Sequence, residues 1–279
     1  MERPFLSFLT DFGPDGPAAI CRGVMLGIAR DAQIVDLAHG IRKYAVADGA
    51  YLLESALPYL PVGVHVAVVD PGVGTERRPI AIRAARGDLL VGPDNGLLIP
   101  GAEALGGIDD ARLIENRELM LPVTSSTFHG RDLFAPVAAH LATGTRFEAV
   151  GPTVSPSDLV RVALAAPVVR DGGLDTAVVY VDSFGNIRFA ATPNDLERAV
   201  GPLHIGRALV VEFAPTEGTQ PTVERTAWQQ TFGRVPVGGS LLFRDSLGRV
   251  ALADNQADAA ARLGVAPGRA ARITARGGA

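Results

Sequence analysis

Cysteine occurs once, at Cys21, and lysine once, at Lys43, in a chain of 279 residues. A lone cysteine excludes an internal disulfide framework. A lone lysine leaves Schiff-base chemistry and P-loop phosphate binding a single candidate, and IRKYAV is not a GxxxxGK[ST] context, so both are set aside. Charged residues make up only 20% of the chain against 47% hydrophobic ones, which excludes disorder and predicts apolar surface covered by other subunits. The net charge is −4 and the arginines are scattered, so no basic stripe marks a nucleic-acid partner. No apolar run approaches the roughly 18 residues that span a bilayer, so no membrane partner is expected. The start, MERPFLSFLTDFG, lacks the charged and apolar regions of a signal peptide, and a cytoplasmic location is expected.

What is present alternates. FLSFLTDF reads as a strand, AAICRGVMLGIARD as a helix, QIVDLAH as a strand, VADGAYLLESALPYL as a helix and HVAVVD as a strand. This β-α-β-α-β order predicts an α/β fold with a doubly wound, mostly parallel sheet, whose ligands sit beyond the carboxyl ends of the strands. Asp11, His39 and Asp70 occupy such ends. After the helical FAPVAAHLATG the texture changes, and 164–173 reads as a linker. Beyond it TAVVYVDSFGNIRF, RALVVEFAP, SLLFRDSLGRVALAD and ARITARG predict a smaller, mostly β domain, an antiparallel barrel or sandwich. The expected domains are 1–166 and 167–279. The length suits two domains of roughly 100 to 200 residues, and no internal repeat is visible.

Two stretches concentrate chemistry. VVDPGVGTERRP puts Asp70 and Arg77 at opposite ends of a glycine-rich loop that follows an apolar strand, and TFHGRDLFAP puts His129 just before a helix. A carboxylate, a guanidinium and an imidazole converging on one small reacting group make an enzyme the first expectation. The glycines of DPGVGTERR are also a candidate phosphate cradle, but they lack GxGxxG spacing and Asp70 repels a phosphate. PDNGLL is most economically a tight turn with glycine in a left-handed position. Asp11, in TDFG, lacks the glycine loop, strand lysine and HRD loop that precede the kinase motif. It is either a turn or helix-cap residue or a carboxylate for a ribose diol. His65 lies inside a strand and His140 inside a helix, where structural roles are expected, and His39 stays open. A metal site assembled from Asp11, His39, Asp70, His129 and Asp132 lacks HExxH, HxH or cysteine pairing, so no metal is expected.

In order along the chain, TDFG, IVDLAHG, VVDPGVGTERR, PDNGLL, TFHGRDLFAPVAAHLA, VDSFGN and DSLG…ALADN resemble the S-adenosyl-L-methionine (SAM) hydroxide adenosyltransferases. These are also called SAM hydrolases and are relatives of the SAM-dependent fluorinase and chlorinase. The resemblance runs end to end. It implies an α/β N-terminal domain, a β-rich C-terminal one, and a homotrimer with active sites between subunits. It also implies hydrolysis of SAM to adenosine and L-methionine without a cofactor. Asp70, Arg77 and His129 stand at the positions of the hydroxide-transferring triad. The halogenases place a tyrosine at Asp70, and the fluorinase serine that holds fluoride aligns with Gly130.

For substrate binding the resemblance implies Asp11 at the ribose diol and Tyr44, a tryptophan in the fluorinase, against the nucleoside. Phe128 and Phe184 are implied as apolar walls and Asp182 as partner of the methionine ammonium. Asn186 and Asn255 are implied as hydrogen-bonding partners of adenine or the amino acid, and Ser246 as facing the methionine carboxylate. Two departures bear on the last contacts: Leu247 replaces an arginine of the fluorinase, and IRFAA after Asn186 replaces a VTNI-like run, which affects Arg188. A halogenase-like transferase and a non-catalytic adenosine or SAM binder are the alternatives. The sulfonium leaving group needs no general acid, so the enzyme's task is to orient one water, with Asp70 and His129 accepting its protons and Arg77 keeping Asp70 ionised.

Overall fold

The computed structural model describes residues 3–123, 125–162, 166–170, 172–216 and 220–276, and the chain forms two compact units, Met1–Ala163 and Leu164–Ala279. In the first unit β1 (Phe5–Thr10), α1 (Gly16–Ile28), β2 (Gln33–Ala38), α2 (Val46–Ala56) and β3 (Val64–Val68) follow the expected order. They are joined by β4 (Pro79–Ala84), β5 (Leu89–Pro93), α3 (Ile99–Ala104), β6 (Ile108–Leu113) and α4 (Ala135–Ala142). The sheet order is β2-β1-β3-β5-β4-β6. β2, β1, β3 and β5 run parallel, whereas β4 is antiparallel to both its neighbours. The reversal comes from a tight β4–β5 hairpin, closed by Ala84 N–H donating to the Asp88 carbonyl and by Gly87 at φ +101°.

Period-two alternation divides the core between the sheet's two faces. Leu6 and Phe8 of β1 pack with Cys21 and Met25 of α1 and with α4, while Leu9 packs with Leu53 of α2 and with Ala102 of α3. Helices therefore cover both faces, and all five residues of β3 are buried, as a central parallel strand requires. The order of strand addition reverses at β1: β2 is added on one side and β3 on the other. The ends of β1 and β3 thus form the switch point where an α/β sheet opens a crevice.

In the second unit the strands are β7 (Val168–Arg170), β8 (Gly173–Val181), β9 (Ile187–Phe189), β10 (Ala208–Phe213), β11 (Thr222–Ala227), β12 (Ser240–Arg244), β13 (Val250–Asp254) and β14 (Ala270–Ala275). They pair antiparallel in the order β11-β10-β14-β8-β9-β13-β12, with β7 on β8. The path curls back on itself, because Trp228 beyond β11 bridges Leu242 of β12 and Gln229 N–H donates to the Leu242 carbonyl at 2.8 Å. Phe189 and Phe213 stack at 6.1 Å in the core.

The linker reading of 164–173 needs correction: Val168–Arg170 is a strand, since its β-branched pair completes a hairpin with β8. Residues 164, 165 and 171 of that segment lie outside the described residues. The second unit also carries two helices absent from the sequence reading, α5 (Pro193–Val200) and α6 (Ala259–Leu263). α5 starts with a reciprocal cap, Thr192 and Asp195 each bonding the other's backbone N–H, with Pro193 at its first turn.

Candidate active site

A cleft of about 270 Å³ opens at the switch point, lined among others by Asp11, Lys43, Tyr44, Asp70, Phe128 and His129. β1 delivers Asp11 and β3 delivers Asp70. The turn at PDNGLL supports the second of these, because Asn95 Nδ2 donates to the Val69 carbonyl at 2.8 Å, with Gly96 at φ +93°. Beyond Asp70 the glycine loop folds back through Val73 N–H to the Asp70 carbonyl and Thr75 N–H to the Gly72 carbonyl. This return places Arg77 on Asp70 in a forked pair, Nε–Oδ1 3.1 Å and Nη2–Oδ2 2.5 Å. The guanidinium also lies 5.4 Å from the centre of the Phe134 ring. Both partners are buried, at 7% and 5% side-chain exposure. The loop is closed by an internal ion pair, so its cation is already committed and the phosphate-cradle alternative loses its counter-charge.

The same guanidinium reaches His129, Nη2 to Nδ1 at 3.0 Å. Arginine has no acceptor, so Nδ1 contributes its lone pair and a neutral His129 carries its proton on Nε2. Burial and then the Arg77 charge push the imidazole pKa below its ordinary value, against the opposing pull of Asp70 and Asp132. In this contact neutral His129 presents an N–H, not the lone pair expected of it. Arg77 Nη1 is buried and has no hydrogen-bond partner among the described residues.

His129 sits at the start of a π-helical turn, Gly130–Phe134, a wide turn that often marks functional sites. A Cβ at Gly130 would stand 2.9 Å from Phe12 Cζ, so a serine there requires the Phe12 ring to move. Gly74, at φ +77°, brings the glycine loop against the next one: a Cβ there would be 2.4 Å from the Ser126 carbonyl oxygen. Asp70 and His129 thus come from two loops in backbone contact.

Asp11 does not cap α1, whose N-cap is Asp15. Its Oδ2 accepts the Tyr44 N–H at 2.9 Å and holds Tyr44 at φ +66°, with Tyr44 itself 70% exposed. Phe128 meets Phe12 edge-on at 5.8 Å. His39 has other duties, with Nδ1 at 2.9 Å from Thr10 Oγ1 and Nε2 at 3.2 Å from Asp36. Among the described residues no group of three His, Cys, Asp or Glu is placed to hold a metal. Lys43, which the sequence reading left without a role, lines the cleft.

In the second unit a cavity of about 640 Å³ is lined by Asp182, Phe184, Asn186, Phe232, Asp254 and Gln256, with Ala257. Asp182 builds its rim: Oδ1 accepts from the N–H groups of Phe184 and Asn186 at 2.9 and 3.0 Å, and Oδ2 from Asn186 Nδ2 at 2.9 Å. Arg188, in the run that departs from the family pattern, bridges Asp182 at 3.6 Å and Asp245 at 2.8 Å. Ser246 is exposed in the turn held by Asp245, and Asn255 spends its Nδ2 on the Val235 carbonyl at 2.9 Å; neither lines the cavity. Gln256, Asp254 and Phe232 were missed by sequence reasoning. Gln256, at φ +57°, and Tyr44 are the two non-glycine residues with positive φ among the described residues, and each lines one of the two concavities. Both follow a strand end in a turn, where a polar or aromatic residue in a left-handed conformation gives no signal in sequence.

A carboxylate, a guanidinium and a neutral imidazole gathered at the switch point of a doubly wound sheet define a small-molecule enzyme of the α/β class. The chain belongs to the SAM hydroxide adenosyltransferase family, whose N-terminal domain matches residues 6–151 and whose C-terminal domain matches 176–272. It is 46% identical over 275 residues to an (R)-S-adenosyl-L-methionine hydrolase of Salinispora tropica, covering 98% of each chain. A Thermus thermophilus protein of the same name is 38% identical, with 95% and 98% covered. A fluorinase of Actinopolyspora mzabensis is 28% identical over 98% of both chains. Among solved structures, an uncharacterized conserved protein from Thermotoga maritima superposes with a TM-score of 0.86 at 32% identity, over 96% of this chain and 99% of the other.

Proposed function

We propose that this protein hydrolyses SAM to adenosine and L-methionine, and that it acts on the (R)-sulfonium epimer for which its curated relatives are named. The observation that carries the reading is the joined Asp70–Arg77–His129 cluster, in which Asp70 and His129 line the cleft and Arg77 backs them. A water held there gives a proton to Asp70, while His129 Nε2–H donates to its oxygen and the Arg77 charge behind both groups stabilises hydroxide character. The oxygen attacks carbon 5′ in line with the sulfonium. The C5′–O bond forms as the C5′–S bond breaks, and the electron pair leaves on sulfur as the neutral thioether of methionine. Asp11 binds the ribose diol, with Tyr44 and Phe128 against the nucleoside. Asp182, Phe184, Asn186, Ser246 and Asn255 are proposed for the adenine and methionine ends, in a cytoplasmic homotrimer with active sites between subunits. Asp70, where the halogenases carry tyrosine, and the crowding at Gly130 favour hydrolysis over halogenation.

The test is a reaction in heavy-oxygen water with each sulfonium epimer, in excess chelator, on protein whose mass in solution is measured by light scattering. The label is expected on the 5′-hydroxyl of adenosine, with full activity, from a trimer. Adenine as product, label on methionine, or loss of turnover on chelation overturns the mechanism, and a 5′-chloro nucleoside formed with chloride restores the halogenase alternative.

Asp11→Ala is expected to weaken both SAM and adenosine. It removes charge-assisted hydrogen bonds of about 1.5 to 3 kcal/mol and frees the Tyr44 turn. Calorimetry that finds adenosine affinity unchanged removes Asp11 from the site.

A further inference from the structure

Beneath His129 lies a carboxylate that the proposed chemistry does not use. Asp132 is completely buried inside the π-helical turn. Its Oδ2 accepts the Ser125 N–H at 2.7 Å, and it holds the guanidinium of its neighbour Arg131 through Nε–Oδ1 at 2.5 Å and Nη2–Oδ2 at 3.0 Å. Arg131 in turn lies over the Phe128 ring, 5.1 Å from its centre, and Phe128 leans on Phe12. A buried, unpaired carboxylate is costly, so each of these groups is held where Asp132 needs it.

We infer that Asp132 is a positioning residue: it ties down the 125–129 loop and holds Arg131 flat against Phe128, so that His129 keeps Nδ1 on Arg77 and Phe128 keeps its place as a wall of the cleft. Three further facts support this. The loop it secures is the one whose Ser126 carbonyl abuts Gly74, so its position is transmitted to the loop carrying Asp70 and Arg77. The wide turn brings Asp132 close enough to His129 for its charge to act on the imidazole, alongside Arg77 and Asp70. Burial alone would raise the Asp132 carboxyl, but Arg131 and the Ser125 N–H bring it below the ordinary carboxylate range, so it stays an anion and an acceptor. The pair with Arg131 serves orientation: a guanidinium held by two parallel bonds is planar and fixed, which a lysine cannot reproduce.

This inference builds on the SAM hydrolase reading, and the test separates the two. Full-length protein with isotope-labelled histidine rings is studied by NMR, with His129 assigned by the signal lost in His129→Gln. Wild type is expected to show a single Nε2–H tautomer for His129. Asp132→Asn is expected to show a mixture of tautomers, because the loop no longer holds Nδ1 on Arg77. Its turnover is expected to fall by up to about a hundredfold, the scale of a misplacement near 1 Å. Arg131→Met is expected to raise the KM for SAM and leave the tautomer unchanged, since the Ser125 bond remains. It carries the test if Asp132→Asn does not fold. An Asp132→Asn protein that keeps the single tautomer, or an Arg131→Met protein with unchanged KM, overturns the inference. Because the tautomer is read without substrate, a wild type that fails to hydrolyse SAM defeats the functional reading alone.

Discussion

Asp70→Ala and His129→Ala are each expected to lower turnover by about a hundred- to ten-thousandfold, the range of a lost proton acceptor or oriented donor, with SAM affinity largely kept. The two variants differ in what they leave behind. Asp70→Ala strands Arg77, a guanidinium only 7% exposed, so this variant is also expected to melt earlier. His129→Ala leaves the Asp70–Arg77 fork in place and is expected to keep its stability. The pH dependence follows from the same contact. Protonating Nδ1 expels the Arg77 N–H, so only neutral His129 is competent. Its lowered pKa places the acid limb of activity below the ordinary imidazole value of about 6.5. A kcat profile whose acid limb lies at or above that value, or a large loss of SAM affinity with turnover preserved, contradicts these roles.

Asp88→Ala is expected to have the largest effect on stability. Ser7 Oγ meets His65 Nδ1 at 2.8 Å across the β1–β3 register, His65 Nε2 meets Asp88 at 2.9 Å, and Arg86 forks onto Asp88 at 2.7 and 2.9 Å. Ser7, His65 and Asp88 are wholly buried, so this Ser-His-Asp chain reaches no substrate and serves as a polar pin inside the sheet. Removing one partner from a buried pair costs about 3–5 kcal/mol, or roughly 10 °C in melting temperature for a unit of this size. Burial alone would raise the Asp88 carboxyl, but Arg86 and His65 overcome it and hold the group well below the usual carboxylate range. Its contribution is therefore complete above the unfolded pKa of about 3.9 and is lost as pH falls below that toward the folded value. The variant should lose this acid-side dependence and keep its turnover at temperatures where it is folded. Calorimetric melts across pH that match wild type contradict the pin.

The parts of the fold legible in sequence are those with strong local signals. β1, α1, β2, α2 and β3 follow from apolar periodicity, and PDNGLL follows from the backbone freedom of Gly96. β4 and β5 did not stand out, because PIAIRAARGDLLVGP interrupts its apolar residues with Arg83, Arg86 and Asp88 around a short hairpin and carries no clean alternation. α5 was missed although its cap was readable in TPND, and β7 was hidden by the proline and glycine around it.

For the site, two stretches singled out Asp70, Arg77 and His129, which the fold brings together, and motif order pointed to the family. Residue identity sets which chemistry a side chain can perform, and long motifs in fixed order carry that information without a structure. Direction was beyond it. That Nδ1 of His129 faces a donor-only guanidinium, that Asp11 holds Tyr44 in a left-handed turn, that Asn255 turns its amide to Val235, and that His65 completes a buried chain with Ser7 and Asp88 all depend on contacts between residues distant in sequence. Hydrogen bonds are directional and burial is collective, so which atom donates, and to whom, is decided only when the strands and loops close on one another.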